Sequence, residues 1–266
     1  KINFFNIDKN LFGEKIYGKN YNLNPYFIEF NKNNKMFMSF NFLKIFNKNL
    51  KHKFFVPPLT FKKKLKKKIN LAGFHTRNVP HAAHEWIHNE LLKKFDNLLI
   101  QPLVGQFNKG EYKDQVIIKL NKLLAKIHNK KNIYVIPFFS YPRYAGSVEA
   151  ALHSIVRKNY GCTHFWVGRD HAGYKNFFKI YESQKYCKKK QKSIGIKIVS
   201  KNEPYYCKKC KKIKNFCNKK LCSKKNIVKI SGTKIRKLII QKKNVPKFMM
   251  NEKLSKKLSI ESIINY

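Results

Sequence analysis

Two histidines three residues apart, His81 and His84, follow the stretch His75-Thr76-Arg77-Asn78 and a proline, Pro80. On a helix, that spacing puts both imidazoles on one face of the first turn, where backbone N–H groups and the dipole already favour anions. Paired imidazoles there would cradle a polyphosphate. His-x-x-His alone is more often incidental or a metal pair; the strand and the Thr-Arg-Asn turn before it favour phosphate. A second stretch, Gly168-Arg169-Asp170-His171-Ala172-Gly173, sets two charges and a histidine between glycines. A third candidate is a set of thiols: Cys207-x-x-Cys210, then Cys217 and Cys222. The first pair's spacing suits a tetrahedral four-cysteine zinc knuckle, while the second is wider than usual. Free thiols are the alternative. Such a zinc would be structural, because four thiolates leave no open position.

Arginine is scarce. Of the 58 Lys+Arg residues only five are Arg, at positions 77, 143, 157, 169 and 236. A Lys/Asn/Ile-rich chain looks shaped by a bias that replaces Arg wherever Lys will serve. Arg resists that where a planar fork must hold an oxyanion through two parallel hydrogen bonds. Its five survivors are therefore candidates for such work, with structural ion pairs as the bland alternative.

These residues need elements to position them. Ile69 to Phe74 reads as a short strand leading into Thr76-Arg77-Asn78. Pro80 suits the first turn of the next helix, with Asn78 or Thr76 as its cap. Leu98 to Leu103 is a second strand, Lys113 to His128 roughly a helix, and Ile133 to Phe138 a third strand ending near Pro142-Arg143-Tyr144. Ser147 to Asn159 carries Val148, Ala151, Leu152 and Ile155 at helical spacing, which predicts an apolar face. Cys162 to Val167 is a short buried strand that stops at the Gly168 turn, and Ile194 to Val199 is a further strand. Ser231 or Thr233 can cap a helix running to about Gln241, whose N-terminus would face phosphates if it lies beside the site. The tail from Asn251 reads as a short amphipathic helix. The alternation predicts an α/β fold with a parallel, right-handed doubly wound sheet, which binds ligands at the strands' C-terminal ends. Residues 1–60 are Asn/Lys/Phe-rich and parse poorly, with some β-like alternation from Met36 to Phe46. Pro57-Pro58 marks a boundary, and Lys62 to Lys68 reads as a solvated charge run or linker.

At 266 residues with 43% hydrophobic content, the chain can build one large or two modest domains. The net charge of +44 invites a nucleic-acid reading, but the lysines are spread along the whole chain. Some non-specific polyanion affinity is expected. No run of about 18 apolar residues exists, so no membrane partner is expected. No signal peptide is apparent, and the chain opens on Lys1 rather than Met, as a fragment or processed form would. Clustered cysteines point to reduced thiols and a cytoplasmic setting. Cys162 and Cys187, outside the cluster, read as a core thiol and a surface thiol.

Taken in order, Thr76-Arg77-Asn78 with His81 and His84, Arg143-Tyr144-Ala145-Gly146, Arg157-Lys158-Asn159-Tyr160-Gly161-Cys162-Thr163-His164-Phe165, Gly168-Arg169-Asp170-His171-Ala172-Gly173, and Ile230-Ser231-Gly232-Thr233 with Arg236 resemble ATP sulfurylase (sulfate adenylyltransferase). The likeness runs from about residue 66 to 245. It implies a Rossmann-like catalytic domain of the nucleotidylyltransferase superfamily over 61–204. It also implies a remnant of a PUA-like domain over 1–60, a zinc-knuckle insert over 205–225 and a C-terminal helical segment over 226–266. The implied reaction joins ATP and sulfate into adenylyl sulfate and pyrophosphate, reversibly, with Mg²⁺ accompanying ATP and Zn²⁺ held by Cys207, Cys210, Cys217 and Cys222. By resemblance, Arg77, His75 and the Ala172 N–H hold sulfate. His75, Thr76, Arg77, Asn78, Gly168, Arg169, Asp170 and His171 hold ATP. Thr76, Arg77, Asn78, His81 and His84 form the catalytic set, the two histidines stabilising the departing pyrophosphate. Ser231 and Arg236 belong to a stretch usually near the phosphates. A homo-oligomer, a dimer, is the expected assembly.

Two departures stand out. His75 replaces the family's usual Gln, and the proline after Asn78 comes one position late, as Val79-Pro80. The family's zinc-binding insert often has His as fourth ligand, where this chain offers Cys222. No Gly-x-x-x-x-Gly-Lys loop follows Arg236, so no fused adenylylsulfate kinase is expected. The alternatives are a catalytically decayed homologue, a basic zinc-containing nucleic-acid-binding protein, and an enzyme of this family running towards ATP.

Overall fold

Side chains of the central strands alternate between two apolar layers, as the period-2 geometry of a strand requires. A computed structural model describes the chain except residues 1, 34–35, 41–53, 66–68, 106–109, 129–131, 175, 219–221 and 265–266. Its main sheet has β3 (Leu71–Thr76) at the centre. On one side lies β4 (Asn97–Val104) and then β5 (Ile133–Val135); on the other, β7 (His164–Trp166) and then β8 (Lys197–Val199). All these neighbours pair in parallel. β4 is buried at every position, the mark of a strand covered on both faces. The predicted third strand is split. Pro137 supplies no N–H, and β6 (Phe138–Phe139) resumes pairing with β4 beyond it.

Leu71, Leu99 and Phe165 face one layer with Cys187 and Ile194 of α7 (Glu182–Ile194) and Ala150 of α6 (Gly146–Asn159). Ala72, Phe74, Leu98, Ile100 and Trp166 face the other with Ile87 and Leu91 of α4 (Ala82–Leu92). A third core joins α5 (Asp114–Ile127), α8 (Gly232–Ile240) and α9 (Glu252–Ser255) through Leu120, Leu124, Ile235 and Leu254. Among the described residues, no helix is long and apolar enough to cross a membrane.

Several local readings need correction. Pro80 lies outside α4, whose N-cap is His81 without a side-chain bond. Thr76 is unavailable as a cap because its Oγ1 already accepts from Asn78 N (3.0 Å). α6 is turned over relative to expectation: Leu152 and Ile155 are 40% and 42% exposed, while Glu149, His153 and Arg157 are 2%, 1% and 0% exposed. Cys187 is a core thiol, not a surface one. Lys62 to Lys64 end a helix, α3 (Pro58–Lys64), whose Phe61 is buried under the sheet; Lys66 to Lys68 lie outside the described residues.

The first forty residues form α1 (Lys9–Tyr17), α2 (Pro25–Asn33) and an antiparallel pair, β1 (Ile2–Phe5) and β2 (Phe37–Phe40). The rest of the Met36–Phe46 stretch lies outside the described residues. Tyr17 and Phe27 close over Ala145 in a small core. Asn24 ties this region down. Its Oδ1 accepts from Tyr26 and Phe27 N–H at the start of α2, and its Nδ2 donates to the Tyr144 carbonyl (2.9 Å).

Candidate active site

β3 and β7 sit where the strand order reverses, with β4 on one flank and β8 on the other. Beyond their C-terminal ends lies a cavity of about 370 Å³, the place an open α/β sheet reserves for ligands. Its wall takes in His75, Thr76, Arg77, Asn78, His81, His84, Gly168, Arg169, Asp170, His171 and Ala172, together with Ser231, Gly232 and Thr233. The residues that the resemblance assigns to ATP and sulfate therefore meet in one place, and of the five arginines singled out Arg77 and Arg169 line it.

Two helix starts reach the same cavity. α4 enters with His81 and His84, their rings stacked at 3.8 Å between centroids. α8 enters with Ser231, whose Oγ caps Lys234 N (3.3 Å). A Cβ on Gly232 would meet the Asn78 side chain at 2.6 Å, so glycine is what lets α8 close on the Thr-Arg-Asn turn. The N–H groups of Ala83, His84, Gly232 and Thr233 donate to no described residue. Such groups at helix N-termini suit phosphate. Burial pushes His81 down to about 4 and His84 well below the ordinary imidazole range. Both are neutral at pH 7 until a polyanion arrives.

Arg77 makes no ion pair among the described residues; its guanidinium lies over the Tyr144 ring at 5.4 Å. Arg169 pairs with Glu203 at 3.3 Å. Ala172 adopts a left-handed φ of 59°, a strained conformation that clusters at functional sites. Its carbonyl accepts from Gly146 N (3.0 Å), and its own N–H donates to no described residue. A Cβ at Gly173 would collide with the Asp170 carboxylate.

The deep wall and the layer behind it hold residues to which the resemblance gave no role. Arg157 is wholly buried, donates to the His153 carbonyl (3.2 Å) and to His75 Nδ1 (2.7 Å), and lies between the Phe138 and Phe165 rings. His153 Nδ1 is 2.9 Å from His171 Nε2. Glu149 accepts from the N–H groups of Arg143 and Ala145, and burial raises its pKa. The signal for this wall was the four-residue spacing Glu149, His153, Arg157 on one helix. Besides Arg157, which stands behind the cavity, two arginines serve neighbouring loops. Arg143 bonds Ser140 Oγ (3.2 Å) and lies on Tyr141, and Arg236 bonds the Gly110 carbonyl (3.3 Å).

The four clustered cysteines come together on a separate three-stranded sheet formed by β9 (Tyr205–Cys207), β10 (Lys212–Lys214) and β11 (Ile227–Val228). Cys222 Sγ lies 3.7 Å from Cys207 Sγ and 3.5 Å from Cys210 Sγ, and all four thiols are within 4.8 Å of one another. Four Zn–S bonds of about 2.3 Å in a tetrahedron separate the sulfurs by about 3.8 Å, so the cluster fits zinc. The Cys210 N–H on its sulfur is the first cause that brings Cys207 down to about 7.

The ATP-sulfurylase family model matches residues 53–260. The chain is similar to the sulfate adenylyltransferase of Pyrococcus abyssi, at 41% identity over 68% of this chain and 47% of that protein. It is also similar to that of Ignicoccus hospitalis, at 40% identity over 70% and 48%. The chain thus spans about half the length of these relatives. Among solved structures it resembles the hexameric APS kinase from Thiobacillus denitrificans, with a TM-score of 0.57 and 13% identity over 79% of this chain and 40% of that one. That likeness concerns the fold alone.

Proposed function

The chain belongs to the ATP-sulfurylase family, and from that membership we propose that it is a sulfate adenylyltransferase. It would transfer the adenylyl group of ATP to sulfate, giving adenylyl sulfate and pyrophosphate, reversibly. The observation that carries this reading is the convergence, in one cavity, of an unpaired Arg77, the stacked His81 and His84, and two helix N-termini. Sulfate is a full dianion at neutral pH, so the attack on the α-phosphorus needs no general base. The site must place one oxyanion in line and stabilise charge on the departing pyrophosphate.

Arg77, with the His75 side chain and the Ala172 N–H, would hold sulfate. Thr76, Asn78 and the turn from Gly168 to His171 would hold ATP. His81 and His84 would donate N–H groups to pyrophosphate as charge builds there. The Asp170 carboxylate in the cavity wall is an oxygen ligand of the kind Mg²⁺ takes. Bound with ATP, that ion would neutralise phosphate charge.

On the same resemblance, residues 61–204 are the catalytic unit, 205–225 a zinc knuckle, 226–266 a helical closure and 1–60 a PUA-like remnant. The enzyme would act as a dimer in the cytoplasm, where thiolates stay reduced.

The test is sulfate-dependent exchange between ATP and pyrophosphate on the purified chain, with molybdate as a second oxyanion. Exchange that requires sulfate, lost by about 10²–10³ in Arg77→Lys with an unchanged circular dichroism spectrum, is the expected result. Salt-sensitive RNA binding without exchange would leave the nucleic-acid reading standing instead. Metal analysis of the reduced chain should find about one zinc, bound through Cys207, Cys210, Cys217 and Cys222. A chain without zinc, or one that keeps it after Cys222→Ser, would remove the knuckle.

A further inference from the structure

His75 stands at the end of β3, where the family resemblance expects glutamine. A glutamine amide always has an N–H to turn towards an anion. A neutral imidazole has one N–H, and it serves only if the proton sits on the nitrogen facing the cavity. The surroundings of His75 decide which nitrogen that is.

Arg157 approaches Nδ1 at 2.7 Å through Nη2. A guanidinium only donates, so Nδ1 must accept, and the single proton of the neutral ring must be on Nε2. His75 lines the cavity, and Nε2 bonds to no described residue. A second proton is kept off. Burial foremost, then His153, Arg157, His171 and Arg77, hold the His75 pKa well below the ordinary imidazole value. These groups face it from α6, from the Gly168 turn and from its own loop.

Arg157 is built into this position. A Cβ on Gly73 would meet its Cγ at 2.8 Å, so only glycine admits the stem beneath β3. Its ring contacts with Phe138 and Phe165 (5.0 and 5.3 Å) and its bond to the His153 carbonyl fix the fork. Burial brings it down to about 9, so it remains a cation at neutral pH. It makes no ion pair with a carboxylate among the described residues.

We propose that Arg157 is a positioning residue: it holds His75 in the tautomer with the proton on Nε2, so that His75 presents a neutral N–H to the tetrahedral oxyanion beside Arg77. The proposal rests on the adenylyl-transfer reading for the identity of that oxyanion as sulfate.

The three rings of His75, His153 and His171 also lie close enough for their nitrogens to share a metal, within 4.8 Å of one another. The neutral His75 ring has no lone pair left for a metal: Nδ1 accepts from Arg157 and Nε2 carries the ring's one proton. The two other rings share one proton between His153 Nδ1 and His171 Nε2. A donor array accounts for this arrangement where a metal site does not.

The test begins with nitrogen-15 histidine labelling of the full chain and long-range proton–nitrogen correlation between roughly pH 6 and 8, with His75 identified by its loss in His75→Gln. The expected spectrum has a protonated, pyrrole-type Nε2 and an unprotonated Nδ1, with no titration, and added sulfate moves the Nε2 resonance. A proton on Nδ1, an averaged tautomer, an imidazolium, or a second bound metal ion lost in His75→Gln would overturn the proposal.

The second arm is a double-mutant cycle on sulfate KM. Arg157→Lys should raise it about tenfold with His75 present and less than about twofold in the His75→Gln background, where the amide needs no tautomer fixed. Equal factors in the two backgrounds would make Arg157 merely structural and sink the proposal. If Arg157→Lys does not fold, the spectrum of the unmutated chain still decides. A chain without exchange activity would defeat the adenylyl-transfer reading alone. Failure of sulfate to move Nε2 would defeat this one.

Discussion

The two helices that frame the cavity were built by opposite rules. α4 mostly follows the ordinary one: Ile87 and Leu91 go into the core, with His88 the one polar side chain fully buried beside them, and its functional histidines stand at the N-terminal end. α6 inverts it, burying Glu149, His153 and Arg157 while leaving Leu152 and Ile155 in solvent. Buried polar groups survive only when their hydrogen bonds are met. α6 meets most of them from neighbouring backbone and rings: Glu149 through two N–H groups, Arg157 through a carbonyl and an imidazole. The comparison separates a site made by local spacing from one made by topology. The first can be read in four consecutive residues. The second exists only after β3, α6 and the Gly168 turn have come together.

Both helices bury neutral imidazoles, and acid should break both at once. This is the largest expected effect. His81, His84 and His88 on the α4 side, and His75, His153 and His171 on the α6 side, are all held below their ordinary value, with burial as the main cause. The unfolded chain takes up protons at about pH 6.5, well before the folded one. Stability is therefore fully present above about pH 6.5 and falls as pH drops towards the folded values. Each group removes up to ~1.4 kcal/mol per pH unit, and six together up to ~8. Against a total of about 5–15 kcal/mol, tryptophan fluorescence should show unfolding with a midpoint between about pH 5 and 6. Pyrophosphate, which favours charged imidazoles at the head of α4, should move that midpoint lower. A fold intact at about pH 4 would show that the histidines are solvated.

A crossed pair of substitutions sharpens the contrast. His84→Asn removes a ring at an open helix end. It should lower exchange turnover about a hundredfold and leave the melting temperature within a few degrees. His153→Asn opens a buried network and should do the reverse, costing about 2 kcal/mol of stability with a smaller loss of turnover. Parallel kinetic and thermal measurements on both variants decide. If both lose mainly stability, the α4 pair is structural too.

What the sequence disclosed follows the same division. The first two strands, the turn at Gly168, the α8 cap at Ser231 and the thiol cluster are short-range patterns that appear where their spacing put them, whereas the third strand is split and the strand read from Ile194 begins at Lys197, because Ile194 ends α7. Local patterns also misled. Val148, Ala151, Leu152 and Ile155 have a helix's apolar rhythm, yet two of them face solvent, because the buried face of α6 is the one that carries Glu149 and His153 to the cavity wall and Ala150 to the core. Scarcity singled out five arginines. It did not tell which enter the cavity: Arg77 and Arg169 line it, Arg157 stands behind it, and Arg143 and Arg236 serve neighbouring loops. Cys187 read as a surface thiol because its helix, α7, was not recognised among lysines. Its partners in the core, Phe165 and Ala150, come from other elements.

The smallest expected effect tests how far the topological side extends. Asn24 lies 120 residues from the Tyr144 carbonyl it bonds, is fully buried, and also caps α2. Tyr144 holds a left-handed φ of 55° immediately before α6, and its ring supports Arg77. Asn24→Ala removes the cap and the side-chain bond to that carbonyl, a loss of about 1–2 kcal/mol. Because Tyr144 stands before α6 and its ring lies under Arg77, sulfate KM should rise a few-fold while pyrophosphate KM in the reverse direction stays put. Equal changes in both constants would mean that the N-terminal region braces the whole cavity, and the separation between its two walls would fail.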